Sequence, residues 1–278
     1  MKEVIVYGSF SDDLLEHLRS FVSAFSGVSS SSQVKFNLQN CSWIQPLLLV
    51  PLAAHISKTG SEWTEPFDEK VRGYLSSIGF PNGTQRIQER KSYFPLTAID
   101  TNIELVEFEN KQKLFLDLIC KKVPERYKNA IRFSFSELTT NVLEHSHSGR
   151  EYLFAQEYQK KGFMDICILD TGRGFARCYK EERSWELSDE EAIEKAVEGY
   201  SSKHLEGERG YGLRKSIEIV RDGLDGEFIL VTGSAILYVH QNKKTLINAP
   251  KFYWQGVIAL FRIPTIERVP FNLYDFLR

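Results

Sequence analysis

The chain has 278 residues, 42% of them hydrophobic and 26% charged, with 35 Lys and Arg against 37 Asp and Glu for a net charge of -2. These are globular proportions, and at roughly 100–200 residues per domain the length suggests two domains or one large one. Disordered, fibrous and small disulfide-rich classes are excluded, and the balanced charge argues against a long polyanion held by net charge.

The predicted elements begin with a short strand over residues 2–7. Ser11 and Asp12 then cap an amphipathic helix that runs to about residue 25, with Leu14, Leu15, Leu18, Phe21 and Val22 at helical spacing. Gly27 and the serines at 29–32 make a loop, and residues 34–38 alternate as a strand. Residues 44–58 read as an apolar helix with Pro46 in its first turn. Pro51 is expected to kink that helix or shift its start. A third helix covers residues 67–78 and is ended by Gly79 and Pro81. The opening segment thus reads strand–helix–strand–helix–helix, a small α/β unit.

A polar stretch from Pro81 to about residue 92 marks the boundary, giving domains 1–85 and 86–278. The second opens with alternating segments over 94–108 and a helix over 110–122. Pro124 interrupts, and a longer helix spans 126–145. Strands are predicted at 152–157, 164–170, 228–232, 235–240 and 257–263. A loop-and-helix region covers 171–207, and a helix covers 211–223. Runs of strands with helices gathered between them indicate an α+β sandwich. The four cysteines have no CxxC spacing, and Cys120 and Cys167 sit in apolar runs as core residues. The longest apolar stretch, 44–56, falls short of the ~20 residues of a membrane span. The first seven residues turn polar too soon for a signal peptide. A cytoplasmic protein with neither membrane nor nucleic-acid partner is expected.

Three separated segments carry chemistry. In Ser136-Glu137-Leu138-Thr139-Thr140-Asn141, Glu137 and Asn141 are four apart and share one helix face. Asn141 could give its amide oxygen to Mg²⁺, which prefers oxygen ligands and completes its shell with water and phosphate. Glu137 could accept a proton from an attacking water or hydroxyl. In Ile168-Leu169-Asp170-Thr171-Gly172-Arg173-Gly174, a buried strand ends in Asp170, which could accept from an exocyclic amine such as adenine's N6. Gly172 and Gly174 allow close backbone approach to a flat base. In Gly207-Glu208-Arg209-Gly210-Tyr211-Gly212-Leu213, glycines precede a helix N-terminus, where backbone N–H groups and the helix dipole suit phosphate. The spacing fits neither a Rossmann nor a P-loop glycine pattern. Taken alone, each segment is weak evidence, and an ordinary solvated face or turn is the more usual reading.

Together and in this order the three segments resemble the N, G1 and G2 boxes of the GHKL or Bergerat-fold, histidine kinase-like ATPases. Glu137 and Asn141 meet ExxxN, and Asp170, Gly172 and Gly174 meet DxGxG. Gly210 and Gly212 followed by Leu213 meet the glycine-rich G2, and Gly256-Val257 stands where the family often has Gly-Thr. The resemblance covers residues 110–264. It implies an ATP-binding α/β sandwich, with a mixed sheet, helices on one face, and an ATP lid over residues 175–209. It further implies that Asp170 binds adenine, Asn141 holds Mg²⁺, Glu137 is a candidate general base, and Gly210, Tyr211, Gly212 and Leu213 border the phosphates. Arg173 and Lys203 lie in or beside the lid, as phosphate contacts or as solvated cations.

Residues 34–38, Cys41-Ser42-Trp43-Ile44-Gln45-Pro46-Leu47 and Gly73 to Phe80 resemble a STAS domain, the anti-sigma-factor-antagonist fold. Gln45, Pro46 and Leu47 stand where that family often has an aspartate and a phosphorylatable serine. The expectation is a STAS-like/ATPase fusion that binds Mg·ATP and either hydrolyses it or phosphorylates a protein partner on serine or threonine. A separate STAS-like protein is one candidate partner, and a homodimer is another arrangement. The alternative is a non-catalytic nucleotide-dependent switch of conformation or dimerisation. His17 in Glu16-His17-Leu18-Arg19 superficially resembles a phosphoacceptor box, but no helical hairpin follows it.

Overall fold

The computed structural model describes residues 1–84, 93–142, 147, 149–201 and 211–277. Strands β1 (Lys2–Ile5), β2 (Val34–Asn37) and β3 (Glu62–Thr64) form a parallel sheet in that order. Helices α1 (Leu14–Phe25), α2 (Pro46–Thr59) and α3 (Glu69–Ile78) accompany them. The cap of α1 is Asp13 in place of the expected Ser11 and Asp12: its side chain accepts from Leu15 N–H, while Ser11 Oγ accepts from Asp13 N–H two residues on. Asp68 caps α3 in the same way, and Gly79 stops it in the left-handed region at φ 81°. Pro46 takes the first turn of α2 as expected, but Pro51 stands inside that helix, which is continuous through it. Residues 46–56 of α2 are buried on every side, as befits a helix without a polar stripe. Each fully buried leucine there contributes roughly 2 kcal/mol.

The second sheet has seven strands. They are β4 (Thr97–Asp100), β5 (Arg150–Tyr158), β6 (Phe163–Asp170), β7 (Glu227–Gly233), β8 (Ala235–His240), β9 (Lys243–Asn248) and β10 (Trp254–Pro264), in the order β4-β5-β6-β10-β7-β8-β9. Every neighbouring pair is antiparallel, which corrects the expected mixed sheet. Short hairpin links between β5 and β6 and between β7, β8 and β9 permit no other direction. The last strand, β10, fills the place between β6 and β7 and so sits near the centre.

Both faces of this sheet are covered, which corrects the expectation of helices on one face only. Ile166, Ile168, Leu230 and Phe261 pack on α4 (Leu105–Cys120), α5 (Lys128–Asn141) and α8 (Gly212–Glu218). Their alternates Cys167, Leu169, Ile229 and Leu260 share one core with Leu18 and Phe21 of α1 and Leu48 and Leu52 of α2. Double coverage explains why all eight residues of β6 are buried. A polar clamp crosses the same interface. Asp165 on β6 accepts from Arg262 Nε at 2.6 Å and from Arg262 Nη2 at 2.9 Å, a bidentate pair with both side chains buried. Arg262 Nη1 also donates to the Asp12 carbonyl at the start of α1. His17 lies 4.0 Å from Asp165 and only 1% exposed, and burial pushes its imidazole below the ordinary value. Its Nε2 is bonded to the Ser11 carbonyl. A closed-in ring of this kind is a packing residue and not a phosphoacceptor. All four cysteines are buried and free. Among the described residues no helix is long and apolar enough to cross a membrane.

Candidate functional site

Strand alternation decides which side of the sheet each site residue faces. Ile168 faces the α4/α5/α8 layer and Leu169 the opposite core, so Asp170 faces the helices. Its carboxylate is almost fully buried at the end of β6. Gly172 N–H donates to Asp170 Oδ1 at 2.7 Å, and the Val257 N–H also bonds the carboxylate. Burial outweighs these two donors and pushes the Asp170 carboxyl up to about 7. Gly256 lies directly beneath it at φ 110°, where an added Cβ would stand 2.2 Å from the Asp170 carbonyl oxygen. Only glycine tolerates both the angle and the closeness.

The loop after β6 is equally constrained. Gly174 has φ 73°, and a Cβ there would come within 2.7 Å of Thr232 Oγ1. That hydroxyl accepts from Phe175 N–H and fixes the start of α6 (Phe175–Arg183). Arg173 is buried, and its guanidinium Nη1 donates to Glu181 at 2.8 Å and Glu182 at 3.1 Å. It therefore ties the loop to α6 and is not a solvated cation. The expected lid opens with α6 and α7 (Asp189–Glu198), and α7 carries a reciprocal Ser188/Glu191 capping box. Lys203 and Gly210 lie outside the described residues.

The N-box and G2 segments meet. Glu137 and Asn141 are half-buried on the last turn and a half of α5. Gly212 opens α8, and a Cβ built on it would stand 1.7 Å from Glu137 Oε2. The α8 backbone is thus pressed directly on the Glu137 carboxyl, an approach that only a glycine permits. Leu213 packs inward with the α5 core, and Tyr211 is exposed, its ring lying against Gly199 at the end of α7. Among the described residues no three His, Cys, Asp or Glu side chains converge to hold a metal. A magnesium brought in by phosphates needs only one or two protein oxygens, which the Asn141 amide and its surroundings can provide.

One buried group escaped the sequence reading. Glu151 on β5 is the direct cross-strand partner of Asp170, so both side chains stand on the same face. It is fully buried, and Gln112 Nε2 from α4 donates to its Oε2 at 2.9 Å. Burial, with the Asp170 charge beside it, pushes its carboxyl up to about 8. The available signal was phase, because Glu151 occupies the inward position of an apolar strand two residues before Leu153. No protein-family model matches the chain, and neither does any curated protein sequence.

Proposed function

We propose that residues 86–278 form a Mg·ATP-binding module of the histidine kinase-like, Bergerat type, carried by a STAS-like unit over residues 1–85. The observation that supports this above all is the seat of Glu137 against Gly212, a contact between two of the three separated motifs. The buried, backbone-held Asp170 supports the third. In this reading the Asp170 carboxylate accepts from the adenine N6 amine. Asn141 gives its amide oxygen to magnesium, which neutralises phosphate charge when bound. Backbone N–H groups where the chain enters α8 receive the phosphates, and Gly212 lets the Glu137 carboxyl sit against that entry. Glu137 takes the proton from the attacking water or from a partner's serine or threonine hydroxyl. ATP turnover or partner phosphorylation then regulates a protein interaction, in the manner of the anti-sigma-factor kinases.

The test is nucleotide affinity and turnover for the wild type, Asp170→Asn and Glu137→Ala. Asp170→Asn should lose ATP affinity at least tenfold, since a buried acceptor is replaced by a group that also carries donors. An unchanged affinity refutes the adenine assignment. Glu137→Ala should bind ATP but turn it over at least 100-fold more slowly. Wild-type turnover in that variant refutes the base. Tight ATP binding with no turnover in the wild type, alone or with STAS-like partners, leaves the non-catalytic switch.

A further inference from the structure

The Asp170–Glu151 pair holds more information than a single acceptor requires. Adjacent antiparallel strands lie about 4.8 Å apart, and directly opposed side chains stand side by side. Two carboxyls so placed in a dry layer do not both ionise. The surroundings decide which keeps the proton. Asp170 receives backbone N–H donors from Gly172 and Val257, which favour its anion. Glu151 receives one neutral amide donor, on Oε2 alone, which leaves Oε1 to carry the hydrogen. That Oε1 is buried and has no hydrogen-bond partner among the described residues. A buried polar atom left in this state costs stability unless a ligand completes it.

An anionic acceptor beside a neutral donor is complementary to one edge of adenine, where the N6 amine donates and the neighbouring N1 accepts. The hypoxanthine edge presents the opposite order, with O6 accepting and N1–H donating. We propose that Glu151 is a specificity-determining residue of the nucleobase pocket, its Oε1 hydroxyl donating to adenine N1 while Asp170 accepts from N6. This rests on the ATP-binding reading above and adds a second point of contact to it. Asp170 and Glu151 are both buried and are direct cross-strand partners on one face, and in this proposal one base meets both. Gln112 becomes a positioning residue, because its amide fixes which Glu151 oxygen carries the proton.

The experiment measures the affinity of the full chain for ATP, 1-deaza-ATP (which lacks the N1 acceptor) and ITP, in the wild type, Glu151→Gln and Glu151→Leu. The wild type should bind ATP at least about tenfold more tightly than 1-deaza-ATP, the worth of one buried hydrogen bond. Glu151→Gln, whose amide still donates and still accepts from Gln112, should keep that ratio. Glu151→Leu should bind the two equally and discriminate less against ITP. Equal binding of ATP and 1-deaza-ATP by the wild type overturns the proposal, and this arm decides even if the leucine variant does not fold. A ratio preserved in a folded Glu151→Leu variant overturns it too. Loss of ATP binding in Asp170→Asn beside either result leaves the ATP reading standing. A wild type that binds neither nucleotide removes both.

Discussion

Gly212→Ala isolates the contact that joins two motifs. The added methyl would stand 1.7 Å from Glu137 Oε2, 2.7 Å from Cδ and 3.2 Å from Cγ. Ordinary contact needs about 3.4 Å, so the carboxylate must retreat by roughly 1.7 Å. The obstructed atoms are the far end of a flexible side chain, and the backbone of α8 is already helical. Stability should therefore stay within about 1 kcal/mol of wild type, since alanine gains helix propensity over glycine. Catalysis should not survive so well, because a misplacement of about 1 Å can cost on the order of 100-fold. Expected, then, is an unchanged melting curve with ATP turnover down about 100-fold. The effect should also be non-additive. In a Glu137→Ala background, Gly212→Ala should cost little more, because the two act through one contact. Wild-type turnover in the single variant refutes the reasoning. A second full loss in the double variant refutes the route through Glu137.

Three further outcomes follow from buried groups. Folding raises the Glu151 carboxyl from 4.5 to about 8 and the Asp170 carboxyl from 3.8 to about 7. The native state therefore binds more protons than the unfolded one between about pH 3.8 and 8, and stability falls as pH rises through that window. Glu151→Gln should flatten the fall, and urea midpoints at pH 5 and pH 8 measure it; an unaltered slope contradicts the burial argument. Asp165→Asn breaks the bidentate pair and leaves buried Arg262 with only the more distant Glu227 carboxylate, 3.7 Å from its Nη1, at a cost of about 3 kcal/mol or a melting point lower by ~6–12 °C. The apolar pair Asp165→Leu with Arg262→Met should recover most of that loss, and calorimetry compares the three. Gly256→Ala meets the backbone of Asp170 at 2.2 Å with φ 110°, so it should lose more than about 2 kcal/mol in a denaturation curve.

Local chemistry was legible in the sequence wherever one residue type has one use. Gly79 ends α3 and Pro46 opens α2 as expected, and β6 ends at Asp170 and begins one residue before its predicted start. What escaped was decided by the surroundings. The three-residue β3 and the polar edge strand β9, with no buried residue, show no period that marks them. Pro51 reads as a helix breaker in isolation, yet tertiary packing around α2 overrides it. Strand direction and the second covering layer depend on residues far apart in sequence, so the resemblance to a one-sided mixed sheet misled. Of the site, Glu137, Asn141, Asp170 and Gly212 were visible as motif letters. Glu151 was not, because its meaning comes from the register of β5 against β6.

The shared core of α1, α2 and the seven-stranded sheet bears on how the protein can be divided. Cutting at residue 85 would lay bare Tyr152, Phe154, Cys167, Leu169, Ile229, Val231 and Leu260 together, a hydrophobic expanse that aggregates in water. The carboxyl-terminal portion has no autonomy without its neighbour, whatever the change of composition at the junction suggests. Heat should undo both parts in one event, and a ligand gripping Asp170 should raise the temperature at which α1 comes away. The amino-terminal unit in that sense backs the end of β6: Trp254, edge-on against Phe21 and Phe25, sends its indole N–H to the Asp170 carbonyl.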